Sequence, residues 1–287
     1  MTSLALALVL ASAMAHATWN LFAKRAAVAG APFLWLSLTL AIPLYAPIAI
    51  AVLLVTGARP GPTDLLWMLG SATLNVAYFV FLQRGYRAGD LSVVYPLARG
   101  TGPVLATAAA IALFGERPST LAIAGAVAIA IGVVMLTGDP RKLRARGVGT
   151  AVAWALLTGV TIAAYTLWDK RGVSVLLIPP VLYEWTSNVG RALILTPVAI
   201  RRWSDVRAVW RDYRRAVIAV AALSPLAYIL VLTALSISPV SYVAPAREIG
   251  ILIGAVMGAR ALAERDVRRR SFAALAMVAG VVALAVG

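Results

Sequence analysis

The 287-residue sequence contains no cysteine and a single histidine, His16. Without thiols there is no disulfide, no iron–sulfur cluster and no thiolate metal site. Acidic residues are scarce as well: 11 Asp and Glu stand against 26 Lys and Arg. Charged residues of both signs make up only 13% of the chain, about half the ~25% usual in soluble domains. No Gly-rich lysine loop of the Walker type is present, which argues against ATP-driven work. A clustered nucleophile, a metal site and a pair of carboxylates within one apolar window are all missing, which argues against an intramembrane enzyme acting on a lipid. A repeated filter-like loop, which a channel would need, is missing too. No catalytic residue, metal or cofactor is expected.

What the chain has is apolar length. Hydrophobic residues reach 62%, and the charges cluster so as to leave windows of about 20 residues, each long enough to cross a hydrocarbon core of roughly 30 Å. Backbone groups in lipid must be satisfied within the segment, and no window alternates as a barrel strand would. The expected fold is therefore an all-α integral membrane protein with the lipid bilayer as its partner. The net charge of +15 would suggest nucleic acid in a soluble protein. Here the basic residues fill short loops, where they set topology, and no nucleic-acid partner is expected. Leu4 to Leu10, followed by Ala-Ser-Ala-Met-Ala, resembles a secretory signal. No basic residue precedes it, and the apolar stretch runs on through Trp19 and Phe22, so it is read as a mature first helix.

Breaks at charges, Pro and Gly give ten windows: 4–23, 32–56, 64–83, 91–114, 119–137, 148–168, 180–200, 216–235, 240–262 and 271–287. The polar segment 138–147 divides them into five (1–137) and five (148–287). The halves resemble each other. A spacing of 148 relates Arg99 to Arg247, Glu116 to Glu264, Arg117 to Arg265 and Pro32 to Pro180. A spacing of 146 lays Ala-Thr-Trp-Asn-Leu-Phe-Ala-Lys-Arg (17–25) over Ala-Ala-Tyr-Thr-Leu-Trp-Asp-Lys-Arg (163–171). Five spans per half make the repeats inverted, an architecture of secondary transporters with a site near the midplane. Outside the windows, Lys and Arg concentrate after odd-numbered helices (for example Arg84, Arg87, Arg141, Lys142, Arg201, Arg202, Arg268), leaving Arg59, Arg117, Lys170 and Arg171 after even ones. Both termini are thus expected on the non-cytoplasmic side, in a bacterial inner membrane.

An ionisable group at membrane depth costs at least about 2.5–3.5 kcal/mol on insertion scales, so each asks for a reason. Arg99 lies in Tyr-Pro-Leu-Ala-Arg-Gly-Thr-Gly-Pro (95–103), where two prolines are expected to bend or open helix 4. Arg247 follows Pro245 in helix 9. Either the two guanidinium forks bind an anionic solute, or each pins a broken helix through freed carbonyls or Glu248. Helix 7 places Glu184, Asn188 and Arg191 on one face. Substrate-binding candidates are Arg99, Arg247, Asn20, Trp19, Tyr78, Tyr228, Asn188 and Arg191. Candidates for carrying a proton are Glu184, His16 and Glu248. Ser12, Ser71, Asn75, Thr158, Tyr165, Thr166 and Ser224 extend the polar lining. Helices 5 and 10, filled with Ala and Gly, are expected to face lipid or a second copy through small residues, the chain being a monomer or homodimer.

The segments His-Ala-Thr-Trp-Asn-Leu-Phe-Ala-Lys-Arg (16–25), Tyr-Pro-Leu-Ala-Arg-Gly with Phe-Gly-Glu-Arg (114–117), and the echo ending in Ala-Glu-Arg (263–265) resemble EamA-type members of the drug/metabolite transporter superfamily. That resemblance covers essentially the whole chain. It implies ten helices, a central cavity lined by helices 1, 3, 4, 6, 8 and 9 with 2 and 7 flanking, and transport without ATP hydrolysis. Glu116 and Glu264 would tie helix ends to neighbouring loops. Relatives of this kind move amino acids and other metabolites, or exchange sugar phosphates and nucleotide sugars. The expected function is export of a small anionic or zwitterionic metabolite such as an amino acid by alternating access. Efflux of aromatic or cationic compounds, favoured by Trp19, Tyr78, Tyr95, Tyr165 and Trp185, is the alternative.

Overall fold

The structure, a computed structural model, describes residues 1–26, 29–137, 148–259 and 267–287. Among these every regular element is a helix: α1 (Ser3–Arg25), α2 (Gly30–Thr56), α3 (Pro62–Ala88), α4 (Leu91–Phe114), α5 (Thr120–Thr137), α6 (Gly149–Ser174), α7 (Pro180–Arg201), α8 (Trp203–Ile237), α9 (Val240–Ala246), α10 (Ile249–Ala259) and α11 (Val267–Val286). The linker 138–147 and the loop end carrying Glu264 and Arg265 lie outside the described residues.

Each expected window is occupied by a helix, with three differences that have physical causes. First, window nine is two helices. Pro245 lacks the N–H that would continue the hydrogen-bond ladder, and the chain turns at Arg247 and Glu248 before α10 starts. Second, the expected opening of helix 4 does not occur: α4 is continuous through Pro96 and Pro103. Third, α3, α6 and α8 are longer than their windows. α6 carries Asp169, Lys170 and Arg171 within the helix, and α8 begins at Trp203 with a kink at Tyr213 (φ −127°, ψ 18°).

Seven stretches are long and apolar enough to cross a membrane, and Thr120–Leu136 and Ser271–Val286 are shorter apolar helices. α7 falls outside both groups because Glu184, Arg191 and Arg201 interrupt it. Large apolar side chains crowd the outer surface, Val55 at 86% and Leu54 at 78% exposure being the extremes. A water-facing surface does not tolerate such a continuous apolar coat. The chain is a multi-pass membrane protein.

The bundle is organised by helix pairs: α1 packs on α8, α3 on α6, α4 on α6, α2 on α7 and α5 on α11. Side-chain bonds to backbone carbonyls tie several of them. Ser12 donates to Ala227 O at 2.8 Å, Ser187 to Met68 O at 2.9 Å and Trp185 to Ile42 O at 3.0 Å. In a medium without water such bonds keep polar side chains satisfied while joining neighbours. Glu116 does the same at a helix end. Its two carboxylate oxygens accept from the backbone N–H of Val240 (2.7 Å) and Ser241 (2.8 Å), capping α9 from the loop after α4.

The α5–α11 pair shows why those helices are rich in small residues. A Cβ on Gly280 would stand 2.6 Å from both Gly125 O and Ile129 Cγ1, and one on Gly125 would stand 2.7 Å from Gly280 O. The two backbones meet at that crossing. Gly280→Val is therefore expected to overpack it by about 1–3 kcal/mol and to lower the midpoint of thermal unfolding in detergent. An unchanged midpoint would show that the crossing is not close.

Candidate functional site

The interruption between α9 and α10 puts two charged side chains, Arg247 and Glu248, inside the bundle. Freed backbone groups and a buried carboxylate both need partners at this depth. Arg99 of α4 supplies one: its Nε lies 3.0 Å from Glu248 Oε2, with both side chains at least nine-tenths buried. The pair fastens α4 to the broken helix. Gly100, Pro103, Ala126, Ile129 and Pro245 line a narrow crevice with it.

Arg247 is placed differently. Its guanidinium stands over the Tyr228 ring, 5.8 Å from the centroid, and among the described residues no carboxylate lies within ion-pair distance of it. Tyr228 begins a string of aromatic rings, with Tyr165 at 6.3 Å and Tyr78 at 6.0 Å beyond that, both edge-on. The charge of Arg99 acts on Tyr78 and Tyr95, and the charges of both arginines act on His16. Tyr78, Tyr95, Tyr228 and Arg247 lie deep in the protein yet are only half-buried. α3, α6, α8 and the α9–α10 turn thus bring a row of tyrosine rings and a guanidinium together inside the bundle.

Sequence reasoning missed a third group. The expected helix 6 stops one residue short of Asp169, but this aspartate lies within α6 and is fully buried. Its carboxylate accepts from Tyr183 Oη at 2.9 Å and from Tyr228 Oη, and Ser71 of α3 lies beside it. Gly172 makes room for this socket. A Cβ there would sit 2.4 Å from Tyr183 Cε2, so only glycine lets the Tyr183 ring close on α6. A signal was available in the repeat: Asp169 stands where the first half has Ala23.

The remaining candidates divide clearly. On α7, Arg191 donates to Glu184, so the two charges of that helix neutralise each other. Asn188 is 2% exposed and donates to Leu38 O at 2.8 Å, tying α7 to α2. On α1, Asn20 donates to His16 O at 2.8 Å within its own helix, and His16 stacks edge-on to Trp19 at 4.9 Å. Trp19 Nε1 is buried without a hydrogen-bond partner among the described residues. Lys170 reaches the end of α8, donating to Leu235 O at 2.7 Å and Ser238 O at 3.0 Å.

Charged and phenolic side chains gathered inside apolar helices suit a membrane carrier, and comparison with known proteins agrees. The model of the EamA-like transporter family matches residues 3–138. Over these residues the chain is similar to the EamA-like transporter family. This is a family of the drug/metabolite transporter superfamily, and its members are transporters rather than enzymes. A solved crystal structure shares the fold along the entire chain, with a TM-score of 0.75 at 18% sequence identity, covering 100% of this chain and 99% of that one. At that identity the likeness carries the fold alone.

Within this EamA-like scaffold the Arg99–Glu248 pair is the interaction whose loss should be felt most. Removing one partner of a buried pair strands the other charge, at a cost of about 3–5 kcal/mol. Arg99→Gln is expected to lower the unfolding midpoint sharply, and Arg99→Gln with Glu248→Gln to recover most of the loss. Equal midpoints for wild type and the single variant would show that the pair does not hold the break.

Proposed function

We propose that this protein is a secondary transporter that moves a small anionic or zwitterionic metabolite, such as an amino acid, by alternating access, with the solute carboxylate bound by Arg247. The observation that carries this reading is the contrast between the two arginines. Arg99 is engaged by Glu248, whereas Arg247 stands over the Tyr228 ring with no carboxylate within ion-pair distance among the described residues. A guanidinium so placed suits the two oxygens of a carboxylate, and the Tyr78–Tyr165–Tyr228 string suits the apolar remainder of a solute. The same string is what favours aromatic or cationic solutes as the second reading. In that case Glu248 would matter more than Arg247.

The scaffold is two inverted five-helix repeats, residues 1–137 and 148–287 joined by 138–147, giving ten spans with α9 and α10 together counting as one. The helix pairings support this. Exchanging helix 1 with 6 and 3 with 8 turns the α1–α8 contact into the α6–α3 contact, and both are extensive. The α2–α7 and α5–α11 pairs map onto themselves. The protein sits in a bacterial inner membrane with both termini on the non-cytoplasmic side. A carboxyl-terminal reporter that is active only outside the cytoplasm is the expected result, and activity confined to the cytoplasm would reverse this orientation.

To test the solute assignment, purified protein is screened singly against the twenty standard L-amino acids by shift of the unfolding midpoint, and hits are measured as flux in liposomes. Hydrogen bonds to charged groups contribute about 1.5–3 kcal/mol, so Arg247→Gln should weaken binding of a hit by roughly 10- to 100-fold. Unchanged binding in Arg247→Gln would end the carboxylate reading.

A further inference from the structure

The balance of charges inside the bundle points to a second site. Three guanidinium groups (Arg99, Arg191, Arg247) and three carboxylates (Asp169, Glu184, Glu248) occupy the interior of the described helices. Two pairs cancel: Arg99 with Glu248 and Arg191 with Glu184. Arg247 and Asp169 are left over, and neither has an opposite charge within ion-pair distance among the described residues. One side chain touches both. Tyr228 donates its hydroxyl to Asp169 and lays its ring under Arg247.

We propose that Asp169 is a proton-binding site distinct from the solute site, and that Tyr228 links the two so that a proton and the solute anion bind together. The substrate half of this rests on the carboxylate reading of Arg247; the proton half does not. The surroundings of Asp169 leave it free to change charge. On α3 it meets Ser71, while Asp64 of that helix is occupied with Gly61 N. On α7 it meets Tyr183, beside the mutually engaged Glu184 and Arg191. On α8 it meets Tyr228. On its own helix, Lys170 is committed to the carbonyls of Leu235 and Ser238, and on α4 Arg99 is committed to Glu248. Lys170, Arg99 and Arg191 are thus engaged elsewhere, and Arg247 stands across the Tyr228 ring rather than against the carboxylate, so a proton from water is the species that neutralises Asp169.

The sign of the coupling follows. With Asp169 ionised, its negative charge lies one tyrosine away from Arg247 and opposes an incoming carboxylate. With Asp169 protonated, the repulsion disappears and the field of Arg247 is no longer offset. Solute affinity therefore rises as pH falls, and by reciprocity bound solute raises the affinity of Asp169 for its proton. Proton and anion bound together cross together, so an inward proton gradient drives the solute inward. The export direction expected from the sequence then gives way to uptake.

Two measurements test this on the full-length protein in lipid nanodiscs. Infrared difference spectra across a pH titration should show the carbonyl band of one protonated carboxyl that persists in Glu184→Gln and Glu248→Gln and is lost in Asp169→Asn. Tyr228→Phe, which keeps the carboxyl, should shift the band. Persistence of the same band in Asp169→Asn, or no titrating band at all, overturns the proton site. For any L-amino acid that binds, wild type should bind at least 5-fold more tightly at pH 6 than at pH 8, and Asp169→Asn and Tyr228→Phe should both lose that dependence. A pH-independent affinity in wild type, or an intact dependence in Tyr228→Phe, overturns the linkage. Loss of binding at both pH values in Arg247→Gln leaves the carboxylate reading standing whichever way the linkage falls. Should Asp169→Asn fail to fold, the Tyr228→Phe band shift and pH dependence decide.

Discussion

The contact between Arg99 and Glu248 is what allows the rest of the interior to be built. Where α9 gives way to α10 the backbone N–H groups of Arg247, Glu248, Gly250 and Ile251 keep nearby carbonyl partners, but Glu248 adds a charge inside an apolar bundle. The Arg99 guanidinium, arriving from a continuous α4, offsets that charge. The turn is thereby held where Arg247, one residue earlier, is directed toward Tyr228. Without the first arginine the second has no fixed position. Two residues that look equivalent by their spacing in the sequence thus have unlike surroundings, one paired with Glu248 and the other set over the Tyr228 ring.

The same principle of charge meeting freed backbone runs through the helix ends. Glu116 gives both oxygens to the first N–H groups of α9, and Lys170 gives its ammonium to the last carbonyls of α8. The short connection between α8 and α9 is therefore clamped from both directions by charges of the sign that the helix dipoles favour. Glycine serves a different constraint. At Gly172 and at the Gly125–Gly280 crossing it removes volume where a ring or a backbone must approach, so the neighbouring helices close on one another.

Much of this is legible in the order of the amino acids. Apolar windows locate the helices because a spanning segment must be apolar along its whole length, and that constraint is insensitive to tertiary context. Glu116 can be assigned to a helix end because it recurs after the same apolar run in each half. The consequences of proline are harder. Pro96 and Pro103 leave α4 intact, while α9 ends one residue after Pro245, so a proline in an apolar window does not by itself say whether the helix breaks. Asp169 escapes a reading by pattern for a related reason: a charged Asp-Lys-Arg run looks like the end of a span, and only packing shows that Lys170 turns to the end of α8 while Asp169 turns inward. Arg99 and Arg247 stand out by spacing, but which of them comes within ion-pair distance of Glu248 is set by packing, which no spacing rule contains.

That division reaches back to the comparison of the halves. In the proposed repeat, the elements that match between the halves are the ones that folding and packing require of both. A charge present in one half alone has no such duty to share, and placing it in an apolar bundle carries a cost that folding does not require. Asp169 has Ala23 as its counterpart, so the first half does without a carboxylate at this place. Its socket is nonetheless complete, with a glycine cut away for Tyr183, a serine from α3 and the hydroxyl of Tyr228. A fully bonded carboxylate set opposite an uncompensated arginine across one shared ring is costly as scaffolding and well suited to coupling. The asymmetry between the halves is where one bound species can sense another.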